Sequence, residues 1–375
     1  MCYKVRVKTR AVTSMGGSLR FVGLGTLLLG VLNLALLWPG VGKKQTAAGA
    51  APLGFSQTGQ RTAGQKHTRV GLVFDVGGRG DKSFNDAAFR GVQRALSELD
   101  VEAEFVEPGD GADRESGLRL LASRGFDLII GVGFVFSDDM LQVAKDYPQR
   151  FFANIDYAKF DEHGFVMPPQ NMVALKFREE EGSFLVGAVA ALSSKTHAIG
   201  FVGGMDIPLI HKFENGYRQG ALAVCADCRV LSGYAGTSAD AFKNPAKGKE
   251  LALAQYGAGA DVIFHAAGST GLGVFEAARE RHHRAIGVDS DQWDEAPGYL
   301  LTSMTKQVDV SVFEVIRSVA ISQFKSGVRV FGLREGGVDY TYDEPARGMI
   351  SSEVRARVEA LRAQIIAGQL TVAAE

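Results

Sequence analysis

The chain has 375 residues, is 46% hydrophobic, and carries 41 basic against 42 acidic side chains. A chain of this length buries one large core or two. Balanced charge argues against nucleic acid as the main partner, which selects for a basic surface, and no helix-turn-helix, zinc-finger or heptad pattern offsets that.

The N-terminus stands apart. Lys4, Arg6, Lys8, Arg10 and Arg20 precede an apolar run over 21–38, long enough for a short membrane span and long for a signal-peptide core. The basic residues before it outweigh Lys43 and Lys44 after it, which places the N-terminus in the cytoplasm and the remainder outside. Residues 1–41 are therefore expected to be a basic segment with a signal or anchor helix, and 42–66, rich in Ala, Gly, Gln and Thr, a flexible linker. The residues leave open whether the stretch Ala48–Ala50 is a peptidase site or the anchor is retained, and Met15 is a plausible start.

From His67 the pattern alternates. Strands are expected at 68–75, 102–108, 127–133, 150–156, 172–177, 198–204, 229–236, 261–268 and 284–291, with a further short extended run ending at Lys306. Helices are expected at 86–99, 114–124, 136–147, 178–192, 211–224, 245–259 and 271–284. Continuous apolar strands between amphipathic helices predict parallel sheets covered on both faces, and so many units predict two doubly wound lobes.

An internal echo supports two lobes. Val76–Gly78 and Val202–Gly204 each follow a strand with "VGG"; Phe84 and Phe213 each open a helical stretch, with Gly91 and Gly220 seven residues on. Ligands bind at the carboxyl edge of such sheets, so two aromatic rings would face one cleft. The blander alternative is that both rings are core residues and Asp75 caps a turn.

The first of these turns, "DVGGRGDKSFNDAAF", resembles a phosphate loop in outline, but it lacks the G-x-G-x-x-G spacing and carries Asp75 and Asp81. Its N–H donors suit any acceptor, while the carboxylates oppose an anion and favour hydroxyls or N–H groups. A neutral aromatic polyol, of which a nucleoside is the simplest example, fits both. Asp156, the 267–273 segment, Asp289 and Lys306 add polar groups at other strand ends; capping turns and a solvated charge are their structural alternatives. Cys225 and Cys228 read as a structural disulfide or two inert thiols rather than a redox pair. His211, His282 and His283 read as loop or surface residues. No metal-ligand spacing and no G-x-S-x-G elbow is present, and no cofactor is expected.

In order and spacing, "DVGGRGDKSFNDAAFRGV", "GFVGGMDIPLIHKFENGYRQG", "AGSTGLGV", "IGVDSDQ" and "LTSMTKQVD" resemble the basic membrane protein family, substrate-binding proteins of ABC transporters whose well-known members are purine nucleoside receptors. The resemblance implies a type I periplasmic-binding fold: two doubly wound lobes joined by a three-segment hinge, here 67–174 with 307–327 and 175–306 with 328–375. It implies that Phe84 and Phe213 sandwich a base, that Asp75, Asn85 and Asp156 bond its edge or nearby polar atoms, and that Asp289, Lys306 and the Gly268 loop hold the ribose. It further implies an ABC permease as partner, an extracytoplasmic location, and no catalysis. The rivals are a receptor for a sugar or signal molecule on the same fold and a nucleoside hydrolase. The apolar run is not followed by the cysteine of a lipoprotein signal, so lipidation is not expected, and membrane attachment would be through the N-terminal helix if uncleaved.

Overall fold

The computed structural model describes residues 2–4, 67–108, 113–342 and 346–375. The expected anchor helix, the linker, the possible peptidase site and Met15 lie outside the described residues. No helix among the described residues is long and apolar enough to cross a membrane.

In chain order the elements are β1 (Cys2–Lys4), β2 (Thr68–Val73), α1 (Phe84–Glu98), β3 (Val101–Val106), α2 (Arg114–Ser123), β4 (Leu128–Gly131), α3 (Ser137–Asp146), β5 (Phe151–Ile155), the hairpin β6 (Phe160–Asp161) and β7 (Gly164–Phe165), and β8 (Met172–Phe177). There follow α4 (Glu179–Ser193), β9 (Ala198–Met205), α5 (Pro208–Val224), β10 (Arg229–Gly236), α6 (Pro245–Gly257), β11 (Val262–Ala266), α7 (Gly271–Arg281), β12 (Arg284–Asp289) and β13 (Leu300–Lys306). The last elements are α8 (Val308–Ala320), β14 (Gly327–Phe331), β15 (Val338–Tyr340) and α9 (Ser352–Ile366).

Two sheets result: seven strands in the order β1-β3-β2-β4-β5-β8-β14 and six in the order β10-β9-β11-β12-β13-β15. Pairing is parallel except at β1 and β15. The interior strands are buried on both faces, as "LIIG" of β4 and "VIFHA" of β11 show residue for residue. In each lobe the first strand (β2 or β9) lies between the second and the third. That is a topological switch point, where the adjoining loops part and leave a crevice at the carboxyl ends.

The chain crosses between lobes after β8, between β13 and α8, and between β14 and β15. Strands β8 and β14 belong whole to the first sheet, so the crossings fall after Phe177 and Phe331 rather than at 174/175 and 327/328. The backbone of Cys2–Lys4 pairs with β3 at the sheet's edge, whereas residues 1–41 were expected outside the fold; an open strand edge offers its donors and acceptors to any nearby segment.

The repeated glycines have one job in both lobes. A Cβ on Gly220 of α5 would stand 1.9 Å from the Phe184 carbonyl of α4, and one on Gly91 of α1 would stand 2.5 Å from the Asp309 carbonyl of α8. Each glycine lets a first-lobe or second-lobe helix lie directly on its neighbour. Helix α5 begins three residues before the expected 211: Pro208 takes its first helical position, where its missing N–H is no loss. Phe213 therefore stands inside α5 rather than opening it.

Candidate functional site

The loop after β2 folds on its own carboxylates. Asp81 Oδ1 accepts from the N–H groups of Ser83 (2.9 Å) and Asp86 (3.1 Å); Oδ2 accepts from Asn85 N–H (2.8 Å) and Asn85 Nδ2 (3.0 Å). Asp86 in turn accepts from Gly80 and Lys82 N–H. The donors at the start of α1 that a phosphate would need are already satisfied. Asp81 is thus the cap of α1, and burial pushes its carboxyl up.

Asp75 stands at the end of β2. Asn85 Oδ1 accepts from its N–H at 3.0 Å, and its own Oδ1 accepts from Val76 N–H at 2.6 Å. The carboxylate lies so close to Gly133 that a Cβ there would meet Oδ2 at 2.4 Å. Burial raises Asp75 to about 7, against the opposing pull of the Val76 N–H and Arg114. The sequence argument treated Asp75 as a fixed negative charge; the structure makes it a carboxyl that is part neutral near pH 7.

The opposite end of the site is charged. Lys306, buried at the end of β13, donates to both carboxylate oxygens of Asp156 at 2.7 Å and lies 3.0 Å from Glu179 Oε1. Lys212 also pairs with Glu179 and lies 3.3 Å from Glu180 Oε2. Burial alone would lower Lys306, but Asp156, Glu179 and Asp289 outweigh it and hold its pKa above the usual value. Burial likewise opposes ionisation of Glu179, and the Lys306 and Lys212 ammonium groups reverse this. Asp156 is pushed up by burial despite Lys306. Asp289 reaches about 6 through burial, opposed by Lys306 and the Ser83 hydroxyl that donates to its Oδ2.

Lys306 thus bonds Asp156 and Glu179 directly, while Asp289 acts on it only at longer range. Asp156 stands with Lys306 rather than beside Asp75 and Asn85. Asp156 and Asp289 share a feature unusual for non-glycine residues, a positive φ (60° and 63°) at the end of a strand.

All eight residues singled out from the sequence line one cavity: Asp75, Phe84, Asn85, Asp156, Phe213, Gly268, Asp289 and Lys306. Phe84 is half-buried and Phe213 is buried; Lys306 Nζ lies 5.0 Å and 5.8 Å from their ring centroids. Sequence reading missed Phe134, just after β4, and Phe242, in the turn before α6, both on the same lining. Each follows a strand end, the position that had flagged the others. It also missed Glu179, which "REEEG" disguises as a solvated helix start.

The lobes meet beside this cavity. Besides Ser83 to Asp289, Arg90 Nη2 donates to Ser290 Oγ at 2.7 Å and Gln292 Nε2 to Lys82 O at 3.0 Å. Gln292 is itself held by Val288 N–H and the buried His265. Among the other expected residues, Cys225 and Cys228 form a disulfide, and His211 lies on α5 with Nε2 2.7 Å from Asp206.

Two doubly wound lobes, three crossings and a cavity at both switch points make a two-lobed fold that can enclose a small molecule. The family model for PnrA-like ABC transporter substrate-binding proteins matches residues 68–375. Relatives include an uncharacterized lipoprotein of Pyrococcus furiosus, 39% identical, covering 75% of this chain and 72% of its own. Another is the ABC transporter nucleoside-binding protein BmpA of Lactococcus lactis, 31% identical over 83% of this chain and 91% of its own. Among solved structures, a solute-binding protein of an ABC transporter system from Aeropyrum pernix superposes with a TM-score of 0.74 at 31% identity, covering 82% of this chain and 93% of that one. The chain belongs to the basic membrane protein family of ABC transporter substrate-binding proteins. Such proteins bind a small molecule outside the cytoplasm and have a permease as partner.

Proposed function

We propose that the cavity binds a purine nucleoside and that the protein delivers it unaltered to its permease. The observation that carries this is the pairing of Phe84, from the first lobe, with Phe213, from the second, on one cavity whose two ends differ in charge. A flat base fits between rings. Asp75 and the spare N–H of Asn85 suit a base edge, which offers donors and acceptors together. Asp289, the Gly268 loop and the Lys306 group suit vicinal hydroxyls, which donate and accept at once. Hydrolysis is disfavoured because Asp81, which a metal would need, already accepts four hydrogen bonds. The name of the Lactococcus relative points the same way.

The test is calorimetric titration of wild type, Phe84→Ala and Phe213→Ala with guanosine. Each variant is expected to lose about 1–3 kcal/mol of binding, the worth of one base–aromatic stack. Folded variants that bind as tightly as wild type would reduce the rings to core residues and remove the basis of this reading.

Ligand entry and exit require the lobes to part about the three crossings. The cross-lobe hydrogen bonds then act only in the closed form. Ser290→Ala removes the Arg90 contact, worth about 1 kcal/mol. It is therefore expected to speed nucleoside release about fivefold in stopped-flow displacement, with association little changed. An unchanged release rate would mean that this contact persists in the open form or adds nothing to closure.

Attachment of the protein to the membrane would be through residues 21–38. The Pyrococcus relative is named a lipoprotein, but here no cysteine stands directly after that apolar run.

A further inference from the structure

We propose that His197, Cys225, Asp227 and Cys228 form a redox-gated site for a divalent transition-metal ion, closed by the disulfide and opened by its reduction. None of the four lines the nucleoside cavity.

Sheet register builds the site. Strands β9 and β10 pair with Ala198 opposite Arg229, and Arg229 N–H donates to the His197 carbonyl at 2.8 Å. His197, one residue before β9, is thereby held against the Cys225–Cys228 turn that joins α5 to β10. His197 takes a positive φ of 52° to reach this place. Its Nδ1 lies 3.0 Å from Asp227 Oδ2, and Cys225 Sγ lies 3.4 Å from Asp227 Oδ1. The donor atoms of His197, Cys225 and Asp227 all fall within 4.8 Å of one another. Cys228 is bonded to Cys225 and is therefore at the same place.

A tetrahedral ion with sulfur at about 2.3 Å and nitrogen or oxygen at about 2.0–2.2 Å has neighbouring donors about 3.3–3.8 Å apart. The two contacts of Asp227, at 3.0 Å and 3.4 Å, are near that spacing before any ion enters. Two sulfurs at C-x-x-C spacing, an imidazole and a carboxylate are a donor set suited to zinc.

In the disulfide neither sulfur is a thiolate, and two of the four ligands are lost. A dithiol or phosphine supplies two electrons and is itself oxidised; the S–S bond breaks and each sulfur takes a proton. The ion then displaces both protons as it binds the thiolates. Bound metal would replace the disulfide as the tie between α5 and β10.

The test uses the full chain carrying Cys2→Ser, so that the third cysteine contributes nothing. Reduced anaerobically with a phosphine, it is titrated with cobalt(II). One equivalent is expected to give a thiolate-to-cobalt band in the near ultraviolet and the visible bands of tetrahedral cobalt, both removed by zinc. The disulfide form is expected to give neither. His197→Ala and Asp227→Asn are each expected to weaken cobalt binding at least tenfold. Zinc is expected to raise the melting temperature of the reduced protein and not of the oxidised one. Absence of the bands from the reduced protein, or equal cobalt affinity in both variants, would overturn the proposal.

Discussion

Lys306→Met is expected to lower stability by about 3–5 kcal/mol at neutral pH and to abolish nucleoside binding. The lysine is buried between Asp156 and Glu179, and removing it leaves two carboxylates in a water-poor space with Lys212 and, further off, Lys176 as the remaining cations. Breaking a buried pair on one side strands the other charge. One of the two carboxyls would then have to hold a proton, so its folded-state pKa rises. A raised carboxyl pKa gives stability that is present at low pH and lost as pH rises. Denaturant titrations at pH 7.5 and pH 5 should therefore show the deficit shrinking at the lower pH. A loss under about 1 kcal/mol, equal at both pH values, would show that Lys306 is not the keystone of the charged end.

Asp75→Asn is expected to stabilise the ligand-free protein above neutral pH. Asp75 is raised to about 7 from an ordinary 3.8, chiefly by burial. The wild type thus loses stability as pH climbs through that window, at about 1.4 kcal/mol per unit in the limit. With some solvent reaching the carboxylate, about 2 kcal/mol at pH 8 is the expected gain for the asparagine. At pH 4 the two proteins should be equal. Asp289, at about 6, titrates in both, so the difference between the curves isolates Asp75. Parallel stability–pH curves would sink this assignment. Nucleoside affinity should fall in the same variant, because the asparagine cannot reproduce a carboxyl at the base edge.

The interior strands were legible because buried parallel strands are continuous apolar runs, and β8 agrees with its expected range residue for residue, as does the half-exposed edge strand β10. Other elements were overlooked. Helix α8, "VDVSVFEVIRSVA", was not among the expected helices: its many β-branched residues suggest a strand, although Val308, Val312, Val315, Ile316 and Val319 recur at helical spacing and bury one face, which lies on α1 at Gly91. Strands β14 and β15 flank the third crossing, and neither they nor α9 were among the expected elements. At the site, strand-end position flagged Asp75, Asp156, the 267–273 segment, Asp289 and Lys306, the internal echo flagged Phe84 and Phe213, and only the family resemblance brought in Asn85. What sequence did not contain was the pairing: which acid meets Lys306 depends on how the two lobes are placed, and Asp156 is 150 residues away. Local spacing can show that Asp81 precedes a helix, but not that all its acceptor capacity is consumed there.

The central claim is the nucleoside, and titration calorimetry of the full chain tests it most directly. Guanosine, inosine and adenosine would be compared with ribose, glucose, a soluble free purine and AMP. At least one purine nucleoside is expected to bind at one per chain, more tightly than the free base by the ribose contacts at Asp289 and Lys306. Ribose and glucose are expected to give no heat. AMP is expected to bind more weakly than adenosine, since the helix donors are spent on Asp81 and the cavity's other carboxylates oppose a dianion. Binding of a sugar with no response to any nucleoside would contradict the account.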